Sequence, residues 1–260
     1  MVADTRHSSA YKYSWMVGEK MKPRSDKRDI SLTFFTRYNI KQKEVGNEFF
    51  DLIYKMTPQI APEKVDLGHI WHTFNERTVS RGLNKWGRSL TMLFRRESKF
   101  ESELAILFED VGNYKTISYW VEKEYFNNPT TSISFLGLSV EIYKLIHPEY
   151  GKIHLVSDSI KMATFDHPIY GETIYPVDLK KGLPGIYWVN FFGPNVVEKL
   201  GREKLLSISC YKREEFDDGG LLLALSSQYE VTAGMKKQQQ EIRNFLGEDN
   251  FYPQTSPFDI

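Results

Sequence analysis

The sequence predicts an α+β fold, a mainly antiparallel sheet with helices packed on one face. Short aromatic and β-branched runs, such as residues 186–192, recur along the chain, as is typical of strands. Between them lie segments whose apolar residues recur every three or four positions, as on one face of a helix. Apolar residues make up 41% of the 260 residues, which is enough for a large core. A division of the fold into two similar halves is left open.

The chain is interpreted as one domain with an N-terminal extension. Residues 1–29 mix aromatic and charged residues with one proline, and they predict an irregular arm. Residues 30–260 contain no stretch poor enough in apolar residues to be a clear linker. This second range therefore predicts a single α+β domain.

The stretch over residues 182–227 holds the densest apolar residues of the chain. Residues 186–192 are aromatic and β-branched and predict a buried strand. Asn195 and Glu198 have the spacing of a capping box, which predicts the start of a short helix. Gly201 is expected to interrupt or end that helix.

A hairpin is predicted in the second part of this stretch. Residues 205–211 and 221–225 are both strand candidates, and the dipeptide Asp218-Gly219 is a strong signal for the turn of a hairpin.

The remaining elements are predicted from periodicity. In chain order they are a strand over 30–40, a helix over 45–56, a poorer helix over 63–79, a short strand over 90–94, a helix over 101–110, an extended run over 115–121 and a helix over 230–246 followed by Gly247 at its C-terminal cap. A strand over 105–108 is an equal alternative within 101–110. Residues 147–151 predict a hairpin loop between extended runs over 140–146 and 152–157.

Charge and cysteine usage limit the function classes. Lys plus Arg equals Asp plus Glu at 34 each, so the chain lacks the overall positive charge usual in nucleic-acid binders. Cys210 is the only cysteine, which excludes an intrachain disulfide, and its apolar neighbours predict a buried structural thiol. The sequence contains neither the apolar region of a signal peptide nor a membrane-spanning run. We therefore expect a cytoplasmic protein without a membrane partner.

Histidines offer the best candidate metal site. His69, His72 and Glu76 share one face of the predicted helix over 63–79, which would suit a metal-dependent hydrolase. The set matches no known zinc motif, so packed and solvated side chains are the favoured interpretation. The motif His-Pro-x-Tyr-Gly occurs at 147–151 and 167–171, and a shared preference for turns explains it. We predict no metal and no cofactor.

The sequence also lacks the common catalytic motifs. It has no Gly-x-Ser-x-Gly, no P-loop, no Gly-x-Gly-x-x-Gly and no His-Glu-x-x-His. The run Glu122-Lys123-Glu124 has the wrong order for a restriction-type nuclease core. We therefore do not predict an enzyme.

A family resemblance is carried by four short segments. They are Gly185-Ile186-Tyr187-Trp188-Val189-Asn190-Phe191-Phe192-Gly193-Pro194, Val197-Glu198-Lys199-Leu200-Gly201-Arg202-Glu203-Lys204-Leu205-Leu206, Tyr211-Lys212 and Asp218-Gly219-Gly220-Leu221-Leu222-Leu223. These segments resemble bacterial polymorphic-toxin immunity proteins, in particular the family catalogued as immunity protein 52. A looser likeness is to type VI secretion immunity proteins with a Trp-rich strand followed by Gly-Pro and Leu-Gly.

The resemblance implies an inhibitor without turnover. Members of the family are encoded beside nuclease toxins with a restriction-endonuclease-like fold and are thought to neutralise them by binding. A cognate nuclease toxin is therefore the expected partner. A non-inhibitory adaptor in a secretion cluster is a further alternative.

Candidate toxin-contact residues follow from charge rather than from the family motif. A nuclease presents a basic groove for DNA, and carboxylates on an inhibitor would complement it. The first-choice residues are Glu214, Glu215, Asp217 and Asp218, and the second-choice residues are Glu248 and Asp249. The motif residues interpreted as structural are Trp188, Gly193, Pro194, Leu200 and Gly201.

Overall fold

The computed structural model describes residues 29–111, 113–156, 164–167, 171–174, 178–229 and 232–252. The predicted arm over 1–29 lies outside the described residues except for Asp29. The end of the chain after Tyr252 also lies outside them.

The described residues form twelve strands and six α-helices. The strands are β1 (Ile30–Thr36), β2 (Lys64–Asp66), β3 (Trp71–Thr73), β4 (Thr91–Arg96), β5 (Ser102–Val111), β6 (Tyr114–Val121), β7 (Tyr150–Leu155), β8 (Thr164–His167), β9 (Gly171–Ile174), β10 (Val189–Phe192), β11 (Lys212–Glu215) and β12 (Leu221–Ala224). The helices are α1 (Lys43–Tyr54), α2 (Glu76–Lys85), α3 (Pro129–Ile146), α4 (Pro194–Leu200), α5 (Arg202–Leu206) and α6 (Ala233–Leu246). Single turns of 3-10 helix occupy Lys123–Asn127 and Glu248–Asn250.

Ten strands form one sheet in the order β11-β12-β10-β7-β1-β6-β5-β4-β2-β3, while β8 and β9 form a separate hairpin. All the pairings within the sheet are antiparallel. The prediction of an α+β fold with a mainly antiparallel sheet is therefore confirmed. The sheet is continuous through its centre, where β1 pairs with both β6 and β7.

The two faces of the sheet bury separate cores. Alternate residues of a strand point to opposite faces, and on β1 Phe34 belongs to one apolar cluster while Phe35 belongs to the other. The first cluster includes Phe49 and Phe50 of α1 and Phe135 of α3. The second cluster contains residues of α4, α5 and α6, namely Val196, Val197, Leu200, Leu205, Ile242 and Leu246. Helices thus pack on both faces of the sheet, whereas the sequence predicted them on one face.

Most of the elements with clear periodicity are confirmed. The predicted strands over 30–40, 90–94 and 221–225 and the extended run over 115–121 correspond to β1, β4, β12 and β6. The predicted helices over 45–56 and 230–246 correspond to α1 and α6. Gly247 caps α6 with φ of 101°, a left-handed conformation that favours glycine.

The helix predicted over 63–79 is wrong. Residues 64–73 form the β2–β3 hairpin, whose turn contains Gly68 with φ of 83° and His69 with φ of 67°. The helix α2 begins only after Asn75, whose side chain accepts a hydrogen bond from the Thr78 amide at 3.1 Å. This cap fixes the start of α2 and leaves the preceding residues free to pair as strands.

Two other predictions of element type need correction. Residues 102–111 form strand β5, so the helix over 101–110 is wrong and the alternative strand over 105–108 holds. Residues 202–206 form α5, so the strand predicted over 205–211 is wrong. On β5, Leu104, Ile106 and Phe108 are buried in the first cluster. The residues between them are apolar too, so the sequence lacks the apolar–polar alternation that identifies a strand.

The segment before β7 also differs from its prediction. Residues 140–146 belong to the 18-residue helix α3, and His147 ends that helix with φ of 42°. The motif at 147–151 therefore connects a helix to a strand instead of closing a hairpin. Its second copy at 167–171 falls between β8 and β9, with residues 168–170 outside the described part.

The start of α4 differs as well. Gly193, rather than Asn195, is the N-cap, and Pro194 is the first helical residue. The Asn195 amide donates instead to Glu149, with Nδ2 to Oε2 at 3.0 Å. Pro at the first helical position has the right φ and lacks an amide that would need a partner. Gly201 ends α4 as predicted.

Candidate functional site

The first-choice carboxylates lie on the hairpin that forms one edge of the sheet. Strand β11 is the outermost strand and pairs only with β12. The turn between them contains Asp217, Asp218 and Gly219, and Gly219 adopts φ of 88°. Its amide donates to the Phe216 carbonyl at 2.9 Å. The predicted Asp-Gly turn is therefore confirmed, and we call Glu214, Glu215, Asp217 and Asp218 the acidic turn.

The strand period separates the two glutamates of the acidic turn. Glu214 pairs in register with Leu222 of the first cluster, and Glu215 pairs with Leu221 of the second, so they point to opposite faces. Glu214 forms an ion pair with Lys212 at 2.8 Å between Oε2 and Nζ. Glu215 forms an ion pair with Arg202 of α5.

Asp218 holds the turn together. Its Oδ1 accepts from the Gly220 amide at 2.9 Å, and both of its oxygens lie 3.3 Å from the Tyr143 hydroxyl, which donates. His147 Nδ1 lies 3.4 Å from Asp218 Oδ2. Burial raises the pKa of Tyr143, and the neighbouring Asp218 raises it further, so the hydroxyl remains a donor. Asp218 is thus bonded inward to the end of α3.

Asp217 is the most available member of the acidic turn. It is exposed and makes no hydrogen bond or ion pair with any described residue. The negative charge of Asp217 nevertheless acts on Lys144, near the end of α3. The pKa of Lys144 is raised first by its hydrogen bond to Glu141, and also by the charges of Glu214 and Asp217. The acidic turn therefore lies beside the C-terminal end of α3.

The second-choice carboxylates have different surroundings. Glu248 and Asp249 lie in the 3-10 turn after α6. Glu248 Oε2 accepts from Nε of the buried Arg243 at 2.7 Å. Arg243 also donates to the Tyr252 carbonyl at 3.0 Å, and this hydrogen bond ties the end of the described chain to α6. Asp249 is exposed.

The residues that carry the family resemblance are structural. Trp188 is 3% exposed and its Nε1 donates to the Ser226 carbonyl at 3.1 Å. A Cβ at Gly193 would overlap the Pro148 carbonyl, so only glycine fits there. Leu200 is buried and Gly201 has φ of 88°. Trp188 thus packs in the first cluster, while Gly193, Leu200 and Gly201 shape α4 and its packing in the second.

The candidate metal residues do not share a helix face. His69 lies in the β2–β3 turn, His72 lies on β3 and Glu76 is the first residue of α2. In the ranges that the structure describes, no group of three His, Cys, Asp or Glu side chains is arranged to hold a metal ion.

A groove between α1 and α3 was not predicted. It has a volume of about 480 Å³, with Leu52, Met56 and Leu138 among its apolar residues and Glu48, Asp51 and Glu141 among its carboxylates. A signal for it existed in the sequence, because Glu44, Glu48 and Asp51 recur at the spacing of one helix face. The opposite wall could not be identified without recognising α3.

Buried polar residues of the second face lie on β7 and its neighbours. Lys152 and His154 are 5% and 6% exposed, and the Lys152 ammonium lies 4.3 Å from the centre of the Tyr187 ring. Burial lowers the pKa of Lys152 to about 7 and that of His154 well below its ordinary value. Cys210 is only partly buried, and burial raises the pKa of its thiol, which makes it a poor nucleophile.

No helix in the described part of the chain is both long and apolar enough to cross a membrane. No family model matches the sequence, and no curated protein matches it. Among solved structures, the chain is similar to the Pseudomonas aeruginosa T6SS protein PA0821, with a TM-score of 0.58 and 10% sequence identity. The match covers 86% of this chain and 76% of that protein. At this identity the likeness shows a shared fold.

Proposed function

We propose that this protein is an immunity protein that binds and neutralises a cognate toxin of a type VI secretion or related interbacterial-competition system. The observation that carries the proposal is the shared fold with a T6SS protein over 86% of the chain. The resemblance of residues 185–223 to immunity protein 52 supports it independently. Because that family is paired with nucleases, a nuclease is the proposed toxin, and the cytoplasm is the proposed place of binding.

The mechanism proposed is occlusion of the toxin's active site or of a surface that it needs. A stable interface buries at least ~1,200 Å² in total, which requires more than one element of the chain. Asp217 and Glu214 of the acidic turn are the proposed contacts with a basic DNA groove, because one is exposed and the other has only a surface ion pair. Such pairs contribute about 0–1 kcal/mol and are easily exchanged for a partner's cation.

The test is co-expression of the chain with the effector encoded beside it. Co-purification of the tagged chain with the effector, together with survival of cells that carry the active effector, is the expected result. Binding without survival would instead indicate a non-inhibitory adaptor. Absence of both would refute the proposal. An effector from an unrelated system serves as the specificity control.

Charge reversal tests the proposed contacts. We expect Glu214→Lys with Asp217→Lys to lower the affinity for the effector, and the loss to shrink as salt screens the charges. The same change at Asp249, the exposed second-choice residue, should have a smaller effect. A larger loss at Asp249 than at the acidic turn would move the interface to the end of α6.

A further inference from the structure

The groove between α1 and α3 combines a charged rim with an apolar floor. Glu48 and Asp51 of α1 and Glu141 of α3 face it, and Lys55 is the one cation among its lining residues. Leu52 and Leu138 form part of the floor. These carboxylates outnumber the cation by two, so the groove has a negative rim around an apolar base.

The groove continues the negative surface of the acidic turn. Glu141 on the groove wall bonds Lys144 at 3.0 Å, and Lys144 lies within the field of Glu214 and Asp217. The C-terminal end of α3 adds the partial negative charge of its free carbonyls. Carboxylates of α1, α3 and the β11–β12 turn therefore form one surface, with Lys144 as a cation between its two parts.

We propose that this groove is the docking site for a basic amphipathic segment of the toxin, an inference that rests on the proposed function. Lys or Arg side chains of the segment lie over Glu48, Asp51 and Glu141, and an apolar side chain sits on the floor. The lining residues of α3 run from Ser134 to Leu145, which at 1.5 Å per residue gives a length of about 16 Å. A helix or loop of roughly ten residues fits that length.

Charge complementarity selects this occupant. An acidic or neutral segment would gain nothing from the rim, and a purely apolar one would leave three carboxylates facing low-dielectric surface. A nuclease inevitably carries basic segments along its DNA groove, and these suit both the groove and the acidic turn. A single partner can therefore engage both parts of the surface.

The experiment measures binding of the effector encoded beside the chain by isothermal titration or surface plasmon resonance. The groove variant is Glu48→Lys with Asp51→Lys. The matched control is Glu198→Lys with Glu203→Lys, which makes the same charge change at exposed positions of α4 and α5 on the other face of the sheet. We expect at least a tenfold loss of affinity for the groove variant, smaller at high salt, and less than a twofold change for the control.

A second variant blocks the groove without changing charge. Ser134 is half-buried on the groove wall, and its hydroxyl donates to the Thr130 carbonyl of its own helix at 2.9 Å, so Ser134→Trp places bulk at the groove without removing a contact to another element. It should also lower the affinity at least tenfold. Thermal unfolding of each variant checks that it is folded.

The outcomes separate this inference from the proposed function. If the unmodified chain neither binds nor protects, the proposed function fails and the docking site falls with it. If the unmodified chain binds but both groove variants bind equally well, the docking site is overturned while the function stands. If the groove variants change only the oligomeric state of the chain, measured by light scattering, the groove is a contact between copies and the inference is overturned.

Discussion

Replacement of the buried Lys152 by Met tests how the second core tolerates charge. Lys152 lies on β7 in the middle of the sheet and is 5% exposed. Met fills a similar volume without the ammonium group. We expect Lys152→Met to stabilise the protein at neutral pH, because the folded state then no longer buries a charge.

The magnitude follows from the pKa. Burial lowers the pKa of Lys152 from 10.5 to about 7, which corresponds to roughly 5 kcal/mol of preference for the neutral form in the folded state. The centre of the Tyr187 ring lies 4.3 Å from the ammonium, and this cation–π contact stabilises the charged form by about 0.5–2 kcal/mol. The expected gain for Lys152→Met at pH 7 is therefore at most about 3 kcal/mol.

The pH dependence has a definite sign. Below pH 7 the lysine is protonated in both the folded and the unfolded state, so the destabilisation is fully present. Between pH 7 and 10.5 the folded state has lost the proton while the unfolded chain still holds it, so the destabilisation fades as pH rises. The advantage of Lys152→Met should fall to about 1 kcal/mol by pH 9.5.

Urea unfolding of both proteins at pH 6.5 and 9.5 measures the difference. Lys199→Met, at an exposed position of α4, is the control and should show no pH-dependent gain. A Lys152→Met variant that is less stable at both pH values would refute the reasoning. So would an equal advantage at pH 6.5 and pH 9.5.

Two paired substitutions test the turn and the packing. Asp218→Ala should lower the free energy of unfolding by about 1–3 kcal/mol, because the Gly220 amide and the Tyr143 hydroxyl lose their acceptor. Asp217→Ala, the control, should change it by less than about 0.5 kcal/mol. Equal urea midpoints for the two variants would contradict the assigned roles. Gly137→Ala should stabilise the protein by up to about 1 kcal/mol, since a Cβ at this helix position meets no other atom. Gly151→Ala should destabilise the protein, because its Cβ overlaps the Phe34 ring. Thermal unfolding of the two variants measures the difference.

The sequence predicted the elements that have one polar side and missed those that do not. Helix α1 buries Phe49 and Ile53 while Glu48 is exposed, so its period is plain. Helix α3 escaped recognition because it buries residues on several sides, and because Ser139 and Thr131 are buried among apolar neighbours. Its β-branched and aromatic residues look like those of a strand.

The sequence predicted the residues of the acidic turn but not the residues of the chain that contact them. The Asp218-Gly219 turn could be predicted because turn chemistry is local. The contacts of Asp218 with Tyr143 and His147 depend on residues more than 70 positions away, and no local pattern carries them. The groove was missed for the same reason, since its walls come from helices far apart in the sequence.

The bonding of the acidic turn limits how a partner can engage it. Asp218 cannot turn outward without breaking the bonds to Gly220 and Tyr143, so a partner gains little from it. Glu215 faces α5 and the second core, where Arg202 already pairs with it. Glu214 and Asp217 instead lie towards α3 and the groove. A basic partner therefore finds its available carboxylates on the first face of the sheet, where both proposed contact regions lie.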